Sequence, residues 1–381
     1  MPLALPTANA AAGGGDISPL LKAGVKRMAG EEANETTEAK SKHDSISASL
    51  ERETKRAKTD SGIWLPPSVS QIPNPQEFKT TTYMSAVPVA IVNNPTASVE
   101  LGVDEAGRGP VLGPMVYGVA YSLEHFSKNL QRDYGFADSK QLTDEKRQSL
   151  LRMIEDGDEG GTQLNQNVGW CTTTMTAKDI SRGMLKSVSN GHGTYNLNEQ
   201  AHDATIDLIR RVLAQGVNVR RIYVDTVGPP VTYQAKLKKL FPTIEITVAK
   251  KADSIYPIVS AASVVAKVTR DLNLQFFNRE MELASGRPHK LGSGYPSDPN
   301  TSAWLNANVD PVFGWCFGLI RFSWQTAKDC LKRHSAVEVV YRDDCFKDKG
   351  YKDVTKLMDT AHSTRGKIKK SHFCNDEVDW M

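Results

Sequence analysis

Apolar residues recur along the chain in two rhythms. Short apolar runs at residues 99–103, 111–121, 169–174, 219–224 and 244–249 predict strands, the second interrupted by Pro114 and Gly118. Longer stretches with helical spacing cover 143–154, 198–215 and 260–283. Thr143 stands where it would cap the first helix, with Asp144 and Glu145 in the opening turn. In the second, Ala201, Thr205, Leu208, Ile209 and Val212 share one face. In the third, Val264, Val268, Leu272 and Phe276 recur at four-residue steps, a stripe most simply read as core packing. Strands that alternate with helices predict an α/β fold with a largely wound sheet. After Gly286 the pattern changes to loops and short helices up to about Leu331. There is no internal repeat.

Composition sets the boundaries. Residues 1–63 hold no Phe, Tyr or Trp, and nine Lys+Arg balance nine Asp+Glu. Such a segment buries too little apolar area to offset an ordering entropy of roughly 1–2 kcal/mol per residue, and is expected to be disordered. Residues 64–95 are punctuated by Pro66, Pro67, Pro73, Pro75, Pro88 and Pro95 and are not expected to be regular. The expected organisation is therefore an extension over 1–95, an α/β domain over 96–285 and a C-terminal extension and tail over 286–381. Lys+Arg exceed Asp+Glu by 47 to 44, so any nucleic-acid binding must come from a local patch. No apolar run approaches the ~18 residues of a membrane helix, and no membrane association is expected. Five scattered cysteines without C-x-x-C spacing argue against a disulfide framework or zinc site; Cys171 and Cys316 read as buried thiols.

The densest chemical signal is GVDEAGRGP at 102–110. Asp104 and Glu105 lie at the end of an apolar strand, and consecutive strand residues face opposite sides. They share one site only if the strand breaks after Asp104, which the following glycines permit. Gly107, Arg108 and Gly109 then offer amides and a guanidinium suited to phosphate. The segment fits neither a P-loop, which needs Lys and Ser/Thr after its last glycine, nor the G-x-G-x-x-G fingerprint. Asp225 ends another predicted strand and Asp253 follows a third, so the carboxylates converge on one sheet edge. Singly, each of these acids reads as a turn or cap residue. Together, four carboxylates without His or Cys partners call for hard cations, magnesium or manganese rather than zinc. Two such ions about 4 Å apart clamp the attacking and leaving oxygens of a phosphodiester. Lys140, in DSK at 138–140, reads as part of a helix cap or as a phosphate contact. In the NLN at 196–198, Asn198 is the expected cap. Tyr295, in GSGYP at 292–296, is displayed on a loop where it can stack on a base or sugar.

Taken in order, DEAGRGP (104–110), DSK (138–140), VDTVG (224–228), KADSIYP (251–257), SAAS (260–263) and SGYP (293–296) resemble the type 2 ribonucleases H. The resemblance runs from about Ser98 to Leu331; YNLN at 195–198 and RFSW at 321–324 are similar to the catalytic chain of the eukaryotic members. It implies an RNase H-like fold, a mixed central sheet flanked by helices with a small helical C-terminal extension. It also implies cleavage of the RNA strand of RNA–DNA hybrids and on the 5′ side of single ribonucleotides in duplex DNA, leaving a 3′-hydroxyl and a 5′-phosphate. By that likeness Asp104, Glu105, Asp225 and Asp253 hold two magnesium (or manganese) ions. Gly107, Arg108 and Gly109 contact the ribose 2′-hydroxyl and its phosphate, Tyr295 stacks on the next sugar, and Lys140 and Asn196 steady the nucleic-acid backbone. The eukaryotic members work as heterotrimers with B and C subunits, for which Val337, Val339, Val340, Tyr341 and Phe346 offer an apolar face. Such a substrate, with the basic KRAK at 55–58, leads us to expect a nuclear protein.

Overall fold

The computed structural model describes residues 64–72, 77, 79–137, 141–156, 163–185 and 195–337. The chain forms two compact units, Met1–Leu65 and Pro66–Met381. Of the first only Trp64 and Leu65 are described.

Six strands form one sheet: β1 (Thr81–Met84), β2 (Val99–Ala106), β3 (Met115–Leu123), β4 (Val168–Met175), β5 (Val219–Asp225) and β6 (Glu245–Ala249). Their order is β1-β4-β3-β2-β5-β6. The pairs β1–β4, β4–β3 and β3–β2 are antiparallel, whereas β2–β5 and β5–β6 are parallel, so the sheet is mixed. Labelled helices are α1 (Glu124–Arg132), α2 (Asp144–Glu155), α3 (Ala177–Met184), α4 (Leu197–Ala214), α5 (Pro230–Leu240), α6 (Pro257–Ser285), α7 (Pro299–Ala307) and α8 (Gln325–Arg333).

One face of the sheet carries Val99, Leu101, Val103, Tyr117, Val119 and Tyr121, which pack with Ala201, Leu208, Ile209 and Val212 of α4. That is the helix face expected from the spacing. The other face lies under α6. A Cβ at Gly102 would sit 2.4 Å from the Ile258 carbonyl oxygen, and one at Gly118 would sit 2.7 Å from that of Ala262. The helix therefore rests on bare backbone at these two places, and nothing larger than glycine fits.

Several expectations need correction. β2 does not break after Asp104: it stays paired to β3 through Ala106 and Val116, so the strand is three residues longer than its apolar run. β3 starts only at Met115, because Pro114 and the loop before it lie outside the ladder. The stretch before residue 96 is not wholly irregular. β1 is an edge strand, held by a Thr82–Thr173 hydroxyl pair and by Tyr83 packed on Trp170, with ring centres 4.6 Å apart. Glu155 accepts from both the Tyr83 hydroxyl and the Trp170 indole. These partners are far off in sequence, which is why local pattern missed the strand. Residues 286–337 pack against the rest of the described chain. Leu291, Trp304, Trp315, Leu319 and Ile320 share one cluster with Val111, Leu112, Leu274 and Phe277. Cys171 is buried as expected, but Cys316 is exposed.

Gly118→Ala is expected to destabilise the protein by about 1–3 kcal/mol, the ordinary cost of overpacking. The check is a urea unfolding midpoint. An unchanged midpoint would mean that α6 does not bear on the sheet at this point.

Candidate active site

The parallel β2–β5 ladder pairs Val103 with Val224, so the next residues, Asp104 and Asp225, project from the same face of the sheet. This is the face beneath α6. Asp104 is buried; its carboxylate accepts the Glu105 N–H at 2.7 Å and a hydrogen bond from Ser263 of α6. Burial, and then the charges of Asp225 and Asp253, hold its carboxyl well above the usual carboxylate range, against the opposing pull of the Ser263 bond.

Asp225 accepts the Ala252 N–H at 2.8 Å. That amide is presented by Lys251, whose φ of 56° is left-handed, at the start of a 3₁₀ turn, Ala252–Ser254. The same turn carries Asp253, buried, whose carbonyl accepts the Ser260 hydroxyl at 2.5 Å. A non-glycine residue in this conformation is sparsely populated, and the hydrogen bond to Asp225 is what it secures.

Glu105 stands apart. Because β2 stays regular, its side chain leaves from the opposite face, where it accepts from the Tyr117 hydroxyl at 2.6 Å and from Arg108 at 3.4 Å. Asp104, Glu105 and Asp225 nevertheless border one cavity of ≈ 80 Å³ at the sheet edge, together with Arg108, Asn198 and His202. The carboxylates thus straddle the edge instead of sharing one side of a broken strand.

Among the described residues no three His, Cys, Asp or Glu side chains come together as a ready-made metal site. The donors are all oxygen, one is buried with its neighbours' charge against it, and further oxygens must come from outside the protein. That fits magnesium, which keeps waters and takes one or two carboxylates together with substrate phosphate. It does not fit a structural zinc site.

The 107–109 loop is built from beneath. Arg321 is fully buried; it donates to the carbonyls of Gly107 (2.6 Å), Arg108 (3.0 Å) and Gly113 (3.1 Å). The Trp324 indole donates to the Gly109 carbonyl at 3.1 Å, and the Arg321 guanidinium lies over the Trp324 ring. All peptide bonds described are trans, so each N–H points opposite the preceding carbonyl. Tying the Gly107 and Arg108 carbonyls inward therefore turns the N–H groups of Arg108 and Gly109 outward. Gly107 has a φ of +79°, and a Cβ there would lie 2.7 Å from the Pro114 carbonyl oxygen. Burial, and then the neighbouring Arg270 charge, push Arg321 down to about 9, which leaves it charged at neutral pH.

Arg270, also buried, ties this loop to the next. It donates to the Ser293 carbonyl at 2.7 Å and sits 5.7 Å from the centre of the Tyr295 ring. The Gly294 carbonyl accepts from Val111 and Leu112. Tyr295 is 38% exposed and lies over Gly109, where a Cβ would meet its ring at 3.4 Å. Gly107, Arg108, Gly109 and Tyr295 are therefore brought together as expected.

The other expected contacts differ. Asn196, not Asn198, caps α4: its oxygen accepts from the amides of Asn198 and Glu199, and Glu199 returns the bond to the Asn196 N–H. Asn198 instead receives a hydrogen bond from Arg108. Lys140 lies outside the described residues. Sequence reasoning on the residues missed Arg270 and His202, and reached Ser263, Arg321 and Trp324 only through the resemblance of SAAS and RFSW. A buried arginine inside an apolar helix or loop leaves no periodic signal.

Arg321→Gln is expected to cost about 3 kcal/mol, since buried carbonyls lose their donors. Arg321→Lys should rescue little, because an ammonium cannot reach three carbonyls at fork geometry. Thermal unfolding with amide exchange at Arg108 and Gly109 checks this; full rescue by lysine would show that charge alone suffices.

The sequence profile described as Ribonuclease HII matches residues 101–327. The ribonuclease H2 A subunit of Schizosaccharomyces pombe is 47% identical over 300 residues, 78% of this chain and 86% of that protein. The Homo sapiens protein of the same name is 44% identical over 67% of this chain and 80% of its own length. Among solved structures, the ribonuclease H2 from Pyrococcus horikoshii OT3 is 32% identical, with a TM-score of 0.48 over 62% of this chain and 98% of that one. With the matched profile covering more than half of its length, the chain belongs to the ribonuclease HII family.

Proposed function

We propose that this chain is the catalytic component of an endoribonuclease that hydrolyses the RNA strand of RNA–DNA hybrids and cuts 5′ of single ribonucleotides in duplex DNA. The observation that carries the reading is the 107–109 loop, whose outward N–H groups lie beside the carboxylate edge and beneath Tyr295. A 2′-hydroxyl is the group that distinguishes RNA from DNA at one sugar, and only close-approaching backbone reads it at such short range. A nuclease for DNA alone has no use for this arrangement.

Asp104, Glu105, Asp225 and Asp253 would hold two magnesium or manganese ions, which when bound supply electrostatic stabilisation to the attacking water and the departing 3′ oxygen. The protein's own groups do the rest. Ser263 and the Glu105 N–H orient the Asp104 carboxylate, the Ala252 N–H orients Asp225, and the Tyr117 hydroxyl orients Glu105. The N–H groups of Arg108 and Gly109 bind the 2′-hydroxyl and adjacent phosphate. Tyr295 stacks on the next sugar and favours deoxyribose there. The products carry a 3′-hydroxyl and a 5′-phosphate. Asn196 and Lys140 keep their proposed role on the backbone; the oxygen of Asn196 is spent on its helix cap, which leaves its amide N–H₂ for the substrate.

The relatives are named as subunits, which supports assembly with B and C companions. Val312, Phe313 and Val337 expose 59%, 76% and 63% of their surface near the end of the described chain, consistent with a covered face in the assembly. Val339, Val340, Tyr341 and Phe346 lie outside the described residues, as does the basic cluster at 55–58 on which nuclear localisation is proposed. No helix among the described residues is long and apolar enough to cross a membrane.

Asp104→Asn is the discriminating substitution. It removes a buried charge while leaving an oxygen for the Glu105 N–H, so the metal-free protein should gain on the order of 1 kcal/mol of stability. Cleavage of a ribonucleotide-bearing duplex in magnesium should fall by at least ~10³-fold. A folded variant that cleaves normally would remove Asp104 from the site.

A further inference from the structure

Beyond Tyr295 an open groove of ≈ 550 Å³ continues along α6. Its near end is Gly292 and Ser293, next to the Tyr295 loop, and its floor includes Arg270, the side chain that underlies Tyr295. Along α6 it extends from Lys267 through Gln275 to Asn278. These residues follow Ser263, the partner of Asp104, so the groove leads away from the carboxylates. At 1.5 Å per residue the span is about 16 Å. That matches about five nucleotides at an axial rise of 3.4 Å each.

The lining suits a phosphodiester backbone. Four cations, Arg147, Lys267, Arg270 and Lys290, face two carboxylates, Asp144 and Asp271, which leaves a net charge of +2. Lys267 and Arg270 both bind Asp271, and Arg147 binds Asp144. Lys290 is exposed and has no ion-pair partner among the described residues. Exposed Gln275 and Asn300 add neutral hydrogen-bonding groups. Three of the four cations are held in ion pairs, and Lys290, at the end nearest the recognition loop, is left exposed to meet a ligand anion.

We propose that this groove is a binding track for the sugar–phosphate backbone of DNA on the 3′ side of the ribonucleotide, with Lys290 contacting phosphate. Its direction rests on the ribonuclease reading, in which Tyr295 covers the sugar that follows the ribonucleotide. The track anchors the duplex past Tyr295 and so sets how much downstream DNA the enzyme needs.

The test is binding of the full chain to labelled duplexes across a salt series without divalent cation. One duplex carries a long 3′ flank beyond a single ribonucleotide, and the other is truncated close to it. For the long flank, Lys290→Ala should weaken binding several-fold and reduce the slope of log K against log salt by about 1, with Lys290→Arg restoring both. For the truncated duplex, wild type and Lys290→Ala should coincide. Equal slopes on the long duplex, or equal losses on both duplexes, would overturn the track. Failure of the wild type to cleave either duplex in magnesium would instead count against the ribonuclease reading, while the binding slopes still decide on the groove.

Discussion

The contact between α6 and the sheet at Gly102 and Gly118 is the constraint on which the site depends. Helix backbone lies against strand backbone there because neither strand position has a side chain. The close approach puts Ser263 within reach of Asp104 and Ser260 within reach of the turn that carries Asp253. Three turns along the same helix from Ser260, Arg270 reaches the loops that hold Gly107 and Tyr295. One helix thus registers the carboxylates against the reading loop. A shift of α6 by a fraction of an ångström would move both parts at once, and catalytic geometry tolerates little displacement.

Around this contact the protein keeps charges where burial makes them expensive. Asp104 is held among like charges with its carboxyl pushed upward, and Arg321 is buried with its guanidinium pushed downward. The two are resolved differently. Arg321 spends its donors on three carbonyls and a ring face, and its yield is a rigid loop with outward N–H groups. The repulsion at Asp104 is left for cations and substrate to relieve, which couples the stability of the site to what binds there. The reading loop is rigid before substrate arrives, whereas the carboxylate edge is completed by it.

Much of this was legible in the sequence, and the gaps have a common cause. The strands that bear Asp104 and Asp225 announce themselves as apolar runs ending in acid, and Thr143 caps its helix as its position suggests. The α4 face was readable from spacing because it packs against one layer only. β1 was not readable, since its stability comes from Trp170 on the neighbouring β4 and Glu155 at the end of α2 instead of from its own four residues. The extra length of β2 was hidden because Asp104, Glu105 and Ala106 look like a loop once apolar alternation stops; pairing to β3 carries the strand onward. Asn196 and Asn198 were indistinguishable as caps by composition, and the reciprocal Glu199 three residues after Asn196 was the available signal. The buried arginines were invisible to pattern reading, because their role is defined by carbonyls more than two hundred residues away or on another loop.

The measurement that bears most directly on this account uses the purified chain, alone and with B and C companions. It is incubated with a duplex carrying one ribonucleotide and with the same duplex in all-DNA form, each with and without magnesium. The account predicts a magnesium-dependent cut on the 5′ side of the ribonucleotide and no cut in the all-DNA duplex. Equal cleavage of both duplexes would contradict the assignment of the 107–109 loop as a reader of the 2′-hydroxyl.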